Sequence, residues 1–215
     1  MKKIIAINGS PRKKNNTATM LQHALEGAKS VGAEVEMINL YELNFKGCTS
    51  CFACKRKESK NIGKCAMKDE LTPVLNKLME SDAVVVGSPI YLSNITGETQ
   101  SFLERFIFMN LSYDKESLTN YTGRKNIGFV YTMGVTDDMI PLCGLDSTFE
   151  SYKGIAGRIF NGKSDYVTSS DAYQFKDYSK FATGMIDLPQ KEKVRKEQFP
   201  IDCQKAFDLG KSLVE

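Results

Sequence analysis

Short apolar runs alternate with segments of helical periodicity along most of this chain, and that alternation constrains the fold more than any other feature. The runs Lys3–Asn8, Ala83–Val86 and Asn126–Thr132 have the length and composition of buried strands. Between the first two runs, apolar residues recur at helical spacing from Met20 to Val31. Strands that alternate with helices, and whose central members are apolar on both faces, predict a parallel sheet covered on both sides.

The remaining elements complete an α/β arrangement that we predict to be a single domain over residues 1–215, with a cysteine-rich excursion at about residues 44–68. Gly87-Ser88-Pro89 is predicted to stop the third strand, and the helical tail from Lys191 is predicted to be interrupted at Pro200. No element is assigned to Ser170–Gln190. The other predicted strands are Glu34–Leu40 and Tyr166–Ser169, and the other predicted helices are marked by Leu71–Met79, Phe102–Ile107 and Leu142–Ile159.

Composition and charge exclude several classes of protein. The 215 residues are 41% hydrophobic and 26% charged, which is ordinary for a globular chain. A net charge of +3 is too small to favour nucleic acid as a partner. No stretch approaches the ~20 apolar residues of a membrane span, and the apolar run after Met1 is too short for a signal peptide. We therefore expect a cytoplasmic protein with neither nucleic-acid nor membrane partners.

The loop after the first strand, Asn8–Thr17, carries the groups that a phosphate would need. It lacks both G-x-x-x-x-G-K-[ST] and G-x-G-x-x-G, which argues against a Walker-type nucleoside triphosphatase and a standard dinucleotide fold. It does offer the hydroxyls of Ser10 and Thr17, the amide of Asn16, the cations of Arg12–Lys14 and the free N–H groups of a helix start. The alternative interpretation is a plain polar turn with a helix cap, because Ser, Thr and Asn are also ordinary capping residues.

A second loop, Gly87–Gly97, follows the most apolar strand. Such a long mixed loop can present backbone N–H and C=O groups to the polar edge of a planar heterocycle, while Ile90 or Tyr91 covers the face of the ring. In a parallel sheet both loops lie at the carboxyl edge, where ligands bind.

Together these segments resemble the two FMN-contact loops of the NAD(P)H-dependent FMN reductase family. The matching residues are Gly9-Ser10-Pro11-Arg12 with Asn16-Thr17, and Ser88-Pro89-Ile90-Tyr91 with Thr96-Gly97, and the resemblance covers roughly residues 1–135. It implies a flavodoxin-like fold, with a five-stranded parallel sheet, helices on both faces and FMN at the carboxyl edge. It also implies phosphate contacts from Ser10, Arg12, Asn16 and Thr17, with Ala18 beside them in the cofactor site, and flavin-ring contacts from Pro89, Ile90, Tyr91, Thr132, Met133 and Gly134.

Four of the six cysteines are clustered, at Cys48, Cys51, Cys54 and Cys65. The first three form a C-x2-C-x2-C run like those that hold a [4Fe–4S] cluster, and within the family this segment is similar to that of the iron–sulfur flavoproteins. Structural zinc more often uses separated pairs or histidine, so the spacing favours iron–sulfur. Cys143 and Cys203, which stand alone, are interpreted as ordinary core or surface thiols.

The predicted fourth ligand, Cys65, follows an insertion, Lys55–Lys64, that makes the last spacing longer than in the resembled pattern. Two interpretations stay open: the insertion loops out and returns Cys65 to the cluster, or the cluster has been lost. The basic residues of this region would offset cluster charge or attract an acidic partner, or they simply form a solvated loop.

The functional prediction is an FMN-dependent oxidoreductase that passes electrons from NAD(P)H, as co-substrate, to a quinone, a flavin or another small-molecule acceptor. The cofactor carries the chemistry, so no catalytic side chain is predicted. One alternative is an iron–sulfur flavoprotein that acts as an electron carrier with a ferredoxin-like partner, and another is a regulatory protein without FMN. We also expect a homo-oligomer, dimer or tetramer, with apolar material from Phe106-Ile107-Phe108-Met109.

Overall fold

Five parallel strands form the central sheet of the computed structural model, which describes residues 1–57 and 60–215. The strands lie in the order β2-β1-β3-β5-β6, and a two-residue strand, β4, pairs antiparallel with the end of β3. The predicted five-stranded parallel sheet is therefore confirmed. The strands are β1 (Lys3–Asn8), β2 (Glu34–Asn39), β3 (Ala83–Tyr91), β4 (Asn94–Ile95), β5 (Asn126–Thr132) and β6 (Ser164–Ser169).

Helices cover both faces of the sheet. Successive strand residues point to opposite sides, and since both sets are apolar, each face is buried by helices. On β1, Ile4 packs with the helices of one face and Ile5 with those of the other. Helices α1 and α6 cover the first face, and α2, α3 and α5 cover the second. The helices are α1 (Asn16–Ser30), α2 (Leu71–Glu80), α3 (Gly97–Phe108), α4 (Met139–Leu142), α5 (Leu145–Phe160) and α6 (Leu188–Ser212).

Helices α1 and α6 approach each other closely through two glycines. A Cβ at Gly210 would lie 1.8 Å from the carbonyl oxygen of Ala24, and one at Gly27 would lie 1.9 Å from that of Phe207. Only a residue without a side chain fits at such a backbone contact. This contact packs α6 against α1, the helix that follows β1.

The structure differs from the sequence prediction at two prolines. Strand β3 does not stop at Pro89 but continues to Tyr91. Residues up to Pro89 pair with β5, and Ile90 and Tyr91 pair with β4 instead. Helix α6 continues through Pro200. Pro200 is exposed, and so is Lys196, the residue whose carbonyl loses its N–H partner, while Phe199 and Cys203 remain buried.

The apolar segment expected to support an oligomer is mostly core. Phe106, Ile107 and Met109 are buried, and only Phe108 is partly exposed. These side chains pack against the sheet and so offer little apolar surface to another chain. None of the described helices combines the length and the hydropathy that crossing a bilayer requires.

Candidate functional site

A cavity of about 200 Å³ opens at the carboxyl edge of the sheet, where the loops after β1, β3, β5 and β6 meet. Every predicted cofactor residue except Ala18 lines it. Ala18 is buried on α1 instead, so its predicted place in the site is not seen in this cavity. The lining residues are Ser10, Arg12, Asn15, Asn16, Thr17, Pro89, Ile90, Tyr91, Thr132, Met133, Gly134, Ala172, Gln174 and Phe175.

The loop after β1 is held open by hydrogen bonds between its own residues. The Ser10 N–H donates to Asn8 Oδ1 at 3.1 Å, and the Arg12 N–H donates to Ser10 Oγ at 3.1 Å. Gly9 is bound on both sides, since its N–H donates to the Gly87 carbonyl and its carbonyl accepts from Thr96 Oγ1. These hydrogen bonds fix the loop after β1 to the loop after β3 without a ligand.

The N-terminus of α1 is suited to an anion. The N-cap residue Asn15 makes no side-chain capping bond, and the first turn contains no acidic residue. Thr17 Oγ1, which is buried, bonds to Thr132 Oγ1 at 2.7 Å and so joins this turn to the end of β5. Uncapped N–H groups and the helix dipole favour a negative charge at this position.

The cationic and amide side chains of the loop also contact the segment after β6. Arg12 Nη1 donates to the Gln174 carbonyl at 2.6 Å, and Asn16 Nδ2 donates to the Tyr173 carbonyl at 2.9 Å. Arg195 of α6 donates to Asn16 Oδ1 at 3.1 Å. Neither Gln174 nor Arg195 was identified from the sequence.

A buried ion pair lies behind the loop after β5. Lys191 Nζ lies 2.6 Å from Asp171 Oδ1 and donates to the Gly134 carbonyl at 3.1 Å. Both side chains are almost fully buried. Lys191 therefore holds the carbonyl of Gly134, one of the predicted flavin contacts, although neither member of the pair lines the cavity.

The four clustered cysteines border a second, smaller and mostly apolar depression beside the C-terminal half of α3. Cys54 is buried, Cys51 is exposed, and Cys48 and Cys65 lie between these extremes. Within residues 1–57 and 60–215, no group of three or more Cys, His, Asp or Glu side chains is arranged to hold a metal ion. The four-cysteine ligand set stays a prediction, and part of the insertion before Cys65 lies outside the described residues.

One cation, Arg105, lines this depression, and a second, Lys55, bonds to the backbone of two residues that line it. Arg105, which was not identified from the sequence, is buried, and its Nε has no hydrogen-bond partner among the residues that the structure describes. Lys55 donates to the carbonyls of Phe108 and Met109 at the end of α3. Burial lowers the pKa of Lys55 and raises the pKa of the neighbouring Cys54 thiol.

Sequence comparisons identify a family and several relatives of this chain. The family model of the NADPH-dependent FMN reductases matches residues 2–137. An iron–sulfur flavoprotein of Archaeoglobus fulgidus is 40% identical over 103 residues, which is 48% of each chain. An iron–sulfur flavoprotein of Clostridioides difficile is 30% identical over 151 residues, 66% of this chain and 64% of the relative. The chain thus spans about half the length of the first of these relatives.

Solved structures match the fold over its whole length. The NAD(P)H:quinone oxidoreductase of Methanothermobacter marburgensis superposes with a TM-score of 0.69 at 13% identity, covering 100% of this chain and 98% of the other. An FMN-dependent NADH-azoreductase of Bacillus anthracis, solved in complex with FMN, superposes with a TM-score of 0.65 at 12% identity, covering 100% of both chains. At such identities the likeness establishes the fold, which is the predicted flavodoxin-like one.

Proposed function

This chain belongs to the NADPH-dependent FMN reductase family, and on that premise we propose that it is an oxidoreductase that binds FMN at the carboxyl edge of its sheet. In this proposal it passes electrons from NAD(P)H to a quinone, a flavin or another small acceptor. The observation that carries the proposal is that the two predicted FMN-contact loops and the predicted ring contacts Thr132–Gly134 meet around one cavity.

The residues around the cavity fit the two ends of FMN. Arg12, the hydroxyls of Ser10 and Thr17 and the uncapped start of α1 would hold the phosphate. Arg12 suits this role because Nη1 is engaged by a carbonyl while the rest of the guanidinium retains donors for an anion. The apolar and backbone groups of Pro89–Tyr91 and Thr132–Gly134 would enclose the ring.

Bound FMN would supply the transfer of two electrons from reduced nicotinamide to the acceptor. Reduction of a quinone in this way consumes one hydride and one proton and yields oxidised nicotinamide and a hydroquinone. The described cavity lining contains no carboxylate, imidazole, thiol or lysine, and its phenol, Tyr91, is 48% exposed to solvent, so we assign the extra proton to water. The protein's part is to bind, orient and shield the reactants.

Spectroscopy and turnover test this proposal directly. Protein purified with excess FMN should show flavin absorption bands after gel filtration, and it should oxidise NADH or NADPH when 1,4-naphthoquinone is added. Protein that retains no flavin, or that retains flavin but leaves both nucleotides unoxidised in the presence of quinone, ferricyanide and free FMN, would contradict it.

The second candidate is an iron–sulfur flavoprotein that acts as an electron carrier with a ferredoxin-like partner. It is favoured by the convergence of Cys48, Cys51, Cys54 and Cys65 on one depression bordered by Arg105. The thiols have the chemistry that a [4Fe–4S] cluster needs. Their arrangement in the described residues does not form a metal-holding group, so we derive no electron step through a cluster.

Iron and sulfide analysis of anaerobically purified protein separates the two candidates. A carrier should contain about four irons and four sulfides per chain, the content of a [4Fe–4S] cluster. Its flavin should be reduced by a one-electron donor protein and not by NAD(P)H.

A homo-oligomer is proposed for either candidate. Light scattering coupled to gel filtration measures the mass of the assembly.

A further inference from the structure

The segment from Ala172 to Phe181, here called the strap, carries a cluster of aromatic side chains. Phe175 stacks on Phe181 with ring centroids 4.1 Å apart and planes 17° apart. Tyr178 meets Phe175 edge-on at 5.1 Å and Tyr173 at 4.9 Å. The strap lies outside the residues matched by the family model, so its role does not follow from membership of the family.

The strap borders the cavity through Ala172, Gln174 and Phe175 and is bonded to the loops on both sides of it. On one side, Arg12 and Asn16 hold the carbonyls of Gln174 and Tyr173. On the other side, the Ala172 N–H donates to the Met133 carbonyl at 2.8 Å, and the Gln174 side chain packs against Gly134. The strap therefore joins the loop after β1 to the loop after β5, with the cavity between them.

The rings of the strap have different relations to the cavity. Phe175 lines it, together with Tyr91 from the end of β3. Phe181 is not among the lining residues. It stacks on one face of Phe175 and is 51% exposed. Tyr178 is buried and its hydroxyl accepts from the Gln174 N–H at 2.8 Å. Phe175 is thus presented to the cavity by rings that hold it in place.

We propose that Phe175 is a stacking contact for a flat aromatic ring bound in this cavity. The inference rests on the proposed function and concerns two of the rings that this function supplies, the isoalloxazine of FMN and the ring of a quinone acceptor. A fixed aromatic face adds a favourable contact with a second ring beyond the area that it buries, and costs little conformational entropy. A saturated or inorganic electron acceptor has no aromatic ring and therefore gains no comparable binding energy from the Phe175 side chain.

The test compares Phe175→Leu, Phe175→Tyr and Phe181→Leu. Fluorescence titration measures the Kd for FMN, and calorimetry measures the Kd for 1,4-naphthoquinone on FMN-loaded protein. Phe175→Leu should raise at least one Kd by about two- to tenfold, the range expected for loss of an aromatic contact. Phe175→Tyr should restore it, and Phe181→Leu, which leaves the lining ring in place, should change it less. The Kd that rises identifies the ring.

Two results would overturn the proposal. One is an unchanged Kd for both ligands in Phe175→Leu, and the other is an equal loss in Phe175→Leu and Phe181→Leu, which would indicate packing of the strap rather than contact with a ligand. Because both measurements are of equilibrium binding, they decide this inference even if the protein fails to oxidise NAD(P)H. Absence of both FMN and quinone binding in the unaltered protein would overturn both proposals.

Discussion

Arg105 on α3 binds both carboxylate oxygens of Asp69, with Nη1 2.5 Å from Oδ2 and Nη2 2.9 Å from Oδ1. Nη1 also donates to the Lys46 carbonyl at 3.1 Å. Lys46 precedes the clustered cysteines and Asp69 follows them. One buried side chain therefore ties together the two ends of the cysteine-rich excursion and holds both against α3.

Substitution of Arg105 should destabilise the protein strongly. Arg105→Met leaves Asp69, only 18% exposed, without its partner, and loss of one member of a buried ion pair costs about 3–5 kcal/mol. Urea unfolding measures the loss. The matched control is Lys77→Met, which breaks the more exposed Lys77–Glu36 pair and should cost less than about 1 kcal/mol. Equal small losses in both variants would show that the buried pair contributes little.

The stability contributed by Lys125 should rise with pH. Burial lowers the pKa of Lys125 from 10.5 to about 8, and the charge of Asp82 offsets part of this effect. Between these two values the unfolded chain binds more protons than the folded one, so the free energy of unfolding increases with pH across that window. Relative to Lys125→Met, the unaltered protein should gain up to about 3 kcal/mol from pH 7 to pH 10. A difference that does not change with pH would contradict this.

Arg12 should discriminate FMN from riboflavin, because only FMN carries the phosphate. Arg12→Gln removes a charged donor and should weaken FMN binding by about tenfold or more, while riboflavin binding should change far less. Flavin fluorescence titrations measure both. Lys29→Gln, which removes an exposed cation in the last turn of α1, at the end far from the cavity, is the control and should leave both affinities nearly unchanged. Equal weakening of FMN and riboflavin in Arg12→Gln would place the phosphate elsewhere.

Two helical glycines should respond to alanine in opposite directions. Gly210→Ala places a Cβ against the Ala24 carbonyl and should destabilise the protein by about 1–3 kcal/mol or more. Gly154 on α5 has open space where a Cβ would be, so Gly154→Ala should stabilise it by about 0.5–1 kcal/mol through helix propensity. Thermal unfolding of the two variants measures both effects. Destabilisation by both would indicate that the close approach of α1 and α6 is not the cause.

The two prolines show how tertiary contacts override local preference. Pro89 and Pro200 both predict an end to their elements, and neither element ends there. Pairing with β4 extends β3 past Pro89, and burial of Phe199 and Cys203 against α1 carries α6 through Pro200. Both outcomes depend on partners that are distant in the sequence.

The sequence by itself determined the alternation of strands and helices, the parallel sheet and the two loops Asn8–Thr17 and Gly87–Gly97. These follow from apolar periodicity and from Gly, Ser and Pro at strand ends, which act over a few residues. Only the tertiary structure decided that the strap after β6 lines the cavity, that Lys191 binds the Gly134 carbonyl and that Arg105 joins the ends of the cysteine-rich excursion. The physical reason is that a hydrogen bond or ion pair between residues such as Arg12 and Gln174 depends on how the whole sheet brings its edges together.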